Sequence, residues 1–415
     1  MDGQGVNGQS LRLQWTQLAV LSGVHFFVDM FGNMLPAILP EIRAHFALRL
    51  SLGSVVLASL MLTANGMQLL TGHMRAEKTQ PLFLHVGLLL AGAVCLLALA
   101  PRSSLGVAMI IGLGIVAGCG IAVVHPEGLR GVHALDGISP AMSTAIFMTA
   151  GFLGFASGGA IAAYLVDTHG LAGLYPLALF PMLGIVAVVL SRVRLSAGDS
   201  DDEAAQAAAA ASSERLPFWQ VMMMGLPAAI TTTVILSLVP TYLDELGFEL
   251  TFGGLSTALF GAGGTVGPFV WAAAASRKGD LPCALWAFLL SVPFMTLYVF
   301  LSEHRAAAWL LFGAGFCSMS AYILAITLSR YARGLNFGHR MAFIVGGNWG
   351  IASLVLIVLS RVAERVGTGL VLKFMPLGYL LSALLAFSMV RKYPQASRRA
   401  RASIAEVATH EHPPA

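Results

Sequence analysis

Apolar residues run in stretches of about twenty, the length a helix needs to cross a hydrocarbon layer. Short polar or Gly/Pro-marked turns separate them. About twelve such stretches are visible, at roughly 15–40, 51–73, 81–100, 105–125, 141–166, 170–191, 217–243, 252–275, 281–301, 306–329, 340–362 and 368–390. The seventh is the weakest, because Thr231, Thr232, Thr233 and Pro240 interrupt it. One long polar segment, 192–216, lies between the sixth and the seventh; its Asp199, Asp201, Asp202, Glu203 and alanine run have a linker's composition. The pattern predicts an all-α polytopic membrane protein of twelve transmembrane helices in two pseudo-symmetric six-helix bundles. The expected divisions are a first bundle over 1–191, a cytoplasmic linker over 192–216, a second bundle over 217–391 and a cytoplasmic tail over 392–415. A weak internal repeat fits that division: Met142 to Gly151 matches the spacing of Met341 to Gly350, and Pro36 has a counterpart in Pro240.

The first stretch carries a polar stripe. On a helix turning about 100° per residue, His25, Asp29, Asn33, Pro36 and Pro40 fall within an arc of roughly 80°, and the remaining face is apolar. An acid at the centre of a bilayer costs about 2.5–3.5 kcal/mol on insertion scales. Asp29 must therefore face protein or a watery cavity, or carry a proton. The structural alternative is a His25–Asp29 pair one turn apart that pins the helix. The functional reading makes Asp29 and His25 proton-coupling groups, since intramembrane ionisable side chains mark ion and substrate pathways.

Composition narrows the class. Hydrophobic residues make up 57% and charged residues 11%, against about 25% charged in soluble domains. The net charge of +4 is spread over short loops and does not suggest nucleic acid. With both termini placed in the cytoplasm, only Arg43, Arg49, Arg102, Arg305, Arg361, Arg365 and Lys373 of the 24 Lys and Arg fall in outer loops. That asymmetry predicts cytoplasmic N and C termini. Cys95, Cys119, Cys283 and Cys317 lie in apolar stretches without paired spacing, so neither a disulfide nor a metal site is expected from them. The first stretch is too long for a cleavable signal. No nucleotide-binding motif occurs, and no cofactor is expected.

Other polar positions complete the candidate set. The fourth stretch has small residues at Gly112, Gly114, Ala117, Gly118, Gly120 and Ala122, then reaches His125, Pro126, Glu127 and Arg130 at the expected membrane edge. Glu127 reads either as half of an ion pair with Arg130 or as a second titratable acid; His125 and Arg130 read as gate residues. HPEGLRGVH is not HExxH, which excludes a zinc hydrolase of that type. Ala150, Gly154, Gly158 and Ala162 form a ridge suited to close helix packing. Asn33, Asn65, Gln68, Tyr322, Asn348 and Trp349 are candidate substrate-cavity residues, and Glu77, Lys78 and Arg277 are candidate gate residues in the loops after the second and eighth stretches.

Together, H-F-F-V-D at His25–Asp29, V-H-P-E-G at Val124–Gly128 and the Gly-rich openings of the fifth and eleventh stretches resemble the major facilitator superfamily, and within it the fosmidomycin-resistance efflux family. The resemblance spans nearly the whole chain. It implies alternating access between two bundles and export of a small molecule or drug against inward proton flow, with Asp29 a cavity acid and Glu127 its partner near the inner gate. It departs from the superfamily's G-x-x-x-D-R loop: Ala76 stands at the acid's place, Glu77 follows it, and the loop before Arg277 has no acid. The expectation is a proton-coupled antiporter, not an enzyme, monomeric, in a bacterial inner membrane, with a small-molecule substrate, protons and the lipid bilayer as its partners. The alternative is an uptake symporter for a small organic anion or metabolite.

Overall fold

The computed structural model describes residues 10–71, 78–196 and 216–394, without the side chains of 68–71, 141, 337 and 338. Among these residues twelve helices are long and apolar enough to cross a membrane. They are α1 Leu11–Ala37, α2 Leu50–Met67, α3 Leu82–Leu99, α4 Ser104–His133, α5 Met142–His169, α6 Leu171–Leu190, α7 Phe218–Glu245, α8 Leu250–Lys278, α9 Asp280–Leu301, α10 Arg305–Arg330, α11 His339–Val366 and α12 Thr368–Lys392. The end where α1 begins is called here the near end, and the other the far end. Most of the linker and most of the tail fall outside the described residues.

Several helices are locally broken where the sequence demands it. In α1 the regular helix stops at Gly32 and resumes at Met34. Pro36 has no N–H to donate to the carbonyl four residues back, and at the break Asn33 donates its side-chain amide across to the Phe155 carbonyl of α5 at 2.7 Å. In α11 a π-turn spans Phe343–Gly347. The Tyr322 hydroxyl donates to the Ile344 carbonyl inside that turn, at 2.8 Å. The seventh stretch, expected to be the weakest because of its threonines and Pro240, becomes the most buried of the twelve spans, with 78% of its window inside the protein. Two of its threonines are bonded to α12: Thr231 donates to the Met375 carbonyl at 3.0 Å and Thr232 bonds the Tyr379 hydroxyl at 2.9 Å, so these two hydroxyls are satisfied within the protein and not exposed to lipid.

The small residues of α5 let it pack on two sides. A Cβ added at Gly154 would overlap the Phe26 carbonyl oxygen, and one at Gly158 the Met30 carbonyl oxygen, both on α1. On its other side Ala156 lies against Gly261, and Gly159 and Ala163 against Gly254, all on α8. The glycines of the ridge therefore face α1, and a second set of small residues on the same helix faces α8, which is the use membrane helices make of such residues. The first and last six spans are also stitched between α2 and α11 at the far end. Glu364 accepts from the Ser51 backbone N–H at 2.7 Å, and Ser54 and Ser360 share a hydrogen bond of 2.6 Å.

Gly154→Leu is expected to force α1 and α5 apart. Overpacking of a close-packed contact costs about 1–3 kcal/mol or more, so detergent-solubilised protein should show a lowered Tm and a reduced folded fraction by size-exclusion chromatography. Wild-type behaviour in both would show that the α1–α5 contact is looser than described.

Candidate functional site

The polar stripe of α1 meets the end of α4. His25 Nε2 lies 3.3 Å from Asp29 Oδ2, one turn along the same helix. His125 Nε2 lies 2.9 Å from Asp29 Oδ1. The two imidazoles meet edge to face, with centroids 5.1 Å apart. Phe147 of α5 stacks on the His25 ring at 4.1 Å. Gly151, one turn further along α5, leaves the space the trio fills: a Cβ there would come within 2.6 Å of Asp29 Oδ2 and of His25 Nε2. His25 is buried, whereas the Asp29 and His125 side chains keep 21% and 26% of their surface exposed.

The backbone settles the tautomers. His25 Nδ1 is 2.9 Å from the Phe147 carbonyl, and His125 Nδ1 is 2.8 Å from the Ile121 carbonyl of its own helix. A carbonyl only accepts, so each Nδ1 carries a hydrogen and each neutral ring presents a bare Nε2. Both bare nitrogens face one carboxylate. Without a proton between them, each contact would set lone pair against lone pair; a hydrogen on Nε2 or on the carboxyl oxygen turns it into a charge-assisted or neutral hydrogen bond. The trio is thus built to hold protons. Pro126 follows inside the same helix and has no N–H to give the preceding turn, while the His125 ring bonds the Ile121 carbonyl of that turn.

Glu127 lies two residues beyond the trio's His125, on a different face of α4, buried, with its Oε1 2.7 Å from Arg130 Nη1. Arg130 also donates to the Ser196 carbonyl at 2.8 and 3.0 Å and to the Lys78 carbonyl at 2.5 Å. Glu127 therefore orients the guanidinium that ties the end of α4 to the loop before α3 and the chain leaving α6. Lys78 takes part through its backbone, with an exposed side chain. Arg277 is exposed at the end of α8, and Glu77 lies outside the described residues.

The candidate cavity residues divide. Asn33 is buried on the Phe155 carbonyl, and Asn65 turns back onto the Met61 carbonyl of its own helix at 2.7 Å. The side chain of Gln68 is outside what is described. Tyr322, Asn348 and Trp349 do come together at the π-turn of α11: the Tyr322 and Trp349 rings meet edge to face at 5.1 Å, and Asn348 donates to the Met222 carbonyl of α7 at 3.4 Å. The Asn348 side-chain oxygen is buried without a hydrogen-bond partner. Sequence reasoning assigned His125 to a gate and gave Gly151 no role; the structure sets both against Asp29. Proximity across 96 residues has no periodic signature, but HPE closing a Gly-rich helix was the available signal.

Twelve apolar spans, among the described residues, with ionisable groups held inside the protein mark a multi-pass membrane protein. The Major Facilitator Superfamily sequence profile matches residues 21–332, and the chain belongs to that family. Its fold is that of secondary transporters working by alternating access. No curated protein matches in a sequence comparison. Among solved structures, the chain resembles a bacterial homologue of the human lysosomal transporter Spinster, in an inward-facing and unoccupied conformation, at 12% identity over 94% of this chain and 99% of that one, TM-score 0.68. It also resembles the nucleoside transporter NupG, at 13% identity over 91% and 99%, TM-score 0.70. A third likeness is to a POT family transporter in complex with 5-aminolevulinic acid, at 13% identity over 94% and 98%, TM-score 0.68.

Gly151→Ala places a methyl group where the trio sits. A shift of the trio is expected to lower Tm by an amount matching about 1–3 kcal/mol and to reduce transport of whichever substrate is identified. Unchanged thermal unfolding would mean that α5 stands further from α1 than described.

Proposed function

We propose that the chain is a proton-coupled exporter of a small molecule, of the fosmidomycin-resistance efflux type, in a bacterial inner membrane with both termini cytoplasmic. The supporting observation is the His25–Asp29–His125 trio, in which one intramembrane carboxylate is met by two imidazoles whose other nitrogens are committed to the backbone. Proton gain and loss at Asp29 then couples to the cycle, with His25 and His125 as its immediate partners. Glu127 serves as helper through the Arg130 tie at the near end. With the near end in the cytoplasm, the far-end stitching of α2 to α11 is the closure an inward-facing state requires. From the last six spans the part-exposed Trp349 is the substrate-facing candidate, with the buried Tyr322 and Asn348 behind it. Division at the linker 192–216 makes the two bundles the moving bodies.

Cysteines at Ser200 and Ser104 test the orientation. Ser200 should label only from the cytoplasm and Ser104 only from outside; the opposite pattern would invert the topology.

Asp29→Asn tests the coupling. The amide keeps the size and much of the hydrogen bonding but removes the exchangeable charge. In vesicles with an imposed pH gradient, the variant should lose at least about tenfold of gradient-driven efflux, which corresponds to about 1.4 kcal/mol, while substrate exchange down its own gradient survives. Wild-type gradient-driven transport by Asp29→Asn would make the trio structural. Uptake driven by the same gradient would replace export by symport.

A further inference from the structure

The geometry points to a second occupant of the trio: we propose that His25, Asp29 and His125 form a binding site for one divalent transition-metal cation of borderline softness, such as Zn²⁺, Co²⁺ or Ni²⁺. The inference uses the same residues as the proposed function but does not rest on proton coupling.

Donor set, spacing and outer contacts all fit. Two imidazole nitrogens and a carboxylate suit these ions, whereas Mg²⁺ and Ca²⁺ favour all-oxygen sites. Zinc takes nitrogen and carboxylate oxygen at about 2.0–2.2 Å, which in a tetrahedron separates neighbouring donors by about 3.3 Å. The two short contacts run to different oxygens of the carboxylate, His25 Nε2 to Oδ2 at 3.3 Å and His125 Nε2 to Oδ1 at 2.9 Å, and one ligand atom from each of the three residues lies within 4.8 Å of the others. Small movements of the rings and a turn of the carboxylate would bring one donor from each to tetrahedral spacing.

The outer contacts are the more telling part. Metal-binding histidines commonly donate the remaining ring N–H to a backbone carbonyl or carboxylate, which fixes the tautomer and turns the other nitrogen toward the ion. Both histidines here do so, on the Phe147 and Ile121 carbonyls. The three groups already direct their lone pairs toward a common region that something positive must occupy, and a metal ion satisfies all three at once. The part-exposed Asp29 and His125 leave a side for a water or other small ligand to complete four-coordination. Gly151 keeps α5 from closing that space.

The test uses the untagged full-length protein in detergent, with His410 and His412 replaced by Gln in the parent so that tail histidines do not contribute. Titration with Zn²⁺ by isothermal calorimetry should show one site per chain, and Co²⁺ should give the visible absorption of a four-coordinate centre. Zn²⁺ should also raise the parent's Tm. Asp29→Asn and His125→Gln should each weaken Zn²⁺ by at least about tenfold and abolish the Co²⁺ band, while His45→Gln, at the exposed contact with Arg102, leaves binding unchanged. Folding of each variant is checked by its metal-free Tm; should one misfold, the other decides. Absence of a Zn²⁺ site in the parent, or a site unaffected by both substitutions, would overturn the inference. Neither result bears on gradient-driven efflux, so the metal site and proton coupling can fail separately.

Discussion

The structure turns on three groups that cannot sit together empty. Two imidazole nitrogens, each deprived of its hydrogen by a backbone carbonyl on the far side of its ring, face one carboxylate within the transmembrane region. In water such groups would turn away and be solvated. Here His25 is held by its helix and by the Phe147 ring, and His125 by the Ile121 carbonyl of its own helix. The arrangement needs a proton or a cation between its members, which is why one or the other belongs to the site's design.

Small residues make that arrangement reachable. Were α5 an ordinary leucine-rich span, its side chains would hold α1 several ångströms away and the Phe147 carbonyl would not meet His25. Gly151, Gly154 and Gly158 bring the two backbones into contact, and the opposite side of the same helix lies against Gly254 and Gly261 of α8. In a bilayer there is no hydrophobic drive between helices, so such contacts gain their stability from close packing. The α5 backbone thus serves at once as the wall of the trio and as one side of the seam between the first and last six spans.

What the sequence made legible follows from which physical signals are periodic. Length and hydropathy marked the twelve spans, because a helix in lipid must be apolar over a fixed distance. The stripe of His25 and Asp29 was legible for the same reason: polar residues one turn apart share a face. The ridge of Gly154 and Gly158 was legible as spacing, though not which helices it would join. The meeting of Asp29 with His125 depends instead on how α1 and α4 are set against each other, and that information is spread over many packing contacts. Asn33 and Asn65 show the converse. A lone amide on a membrane helix has the same sequence signature whether it faces substrate or satisfies a backbone carbonyl, and here both amides bond carbonyls. The weakness of the seventh stretch misrepresented a buried helix, since Thr231 and Thr232 face protein partners and not lipid.

On the proposed function, coupling requires that a change of charge at the trio be felt where the two halves meet. The trio lies wholly among α1, α4 and α5, so no ion there bridges the halves directly. The route available is mechanical. Removal of a proton leaves a bare nitrogen against the Asp29 carboxylate, and the groups must separate or take up another cation. His25 can move only with the Phe147 ring and carbonyl that hold it, and those belong to α5. The same helix bears on α8 through Ala156, Gly159 and Ala163, where an interface without intervening side chains transmits displacement with little slack. At the other seam α2 and α11 also lie packed together, and at the far end the Glu364 carboxylate on the Ser51 N–H and the paired hydroxyls of Ser54 and Ser360 add polar bonds to that packing. On the proposed function, both seams are close-packed surfaces that shift as units, so a local charge change at the trio selects between states by moving α5 against α8 rather than by breaking isolated bonds.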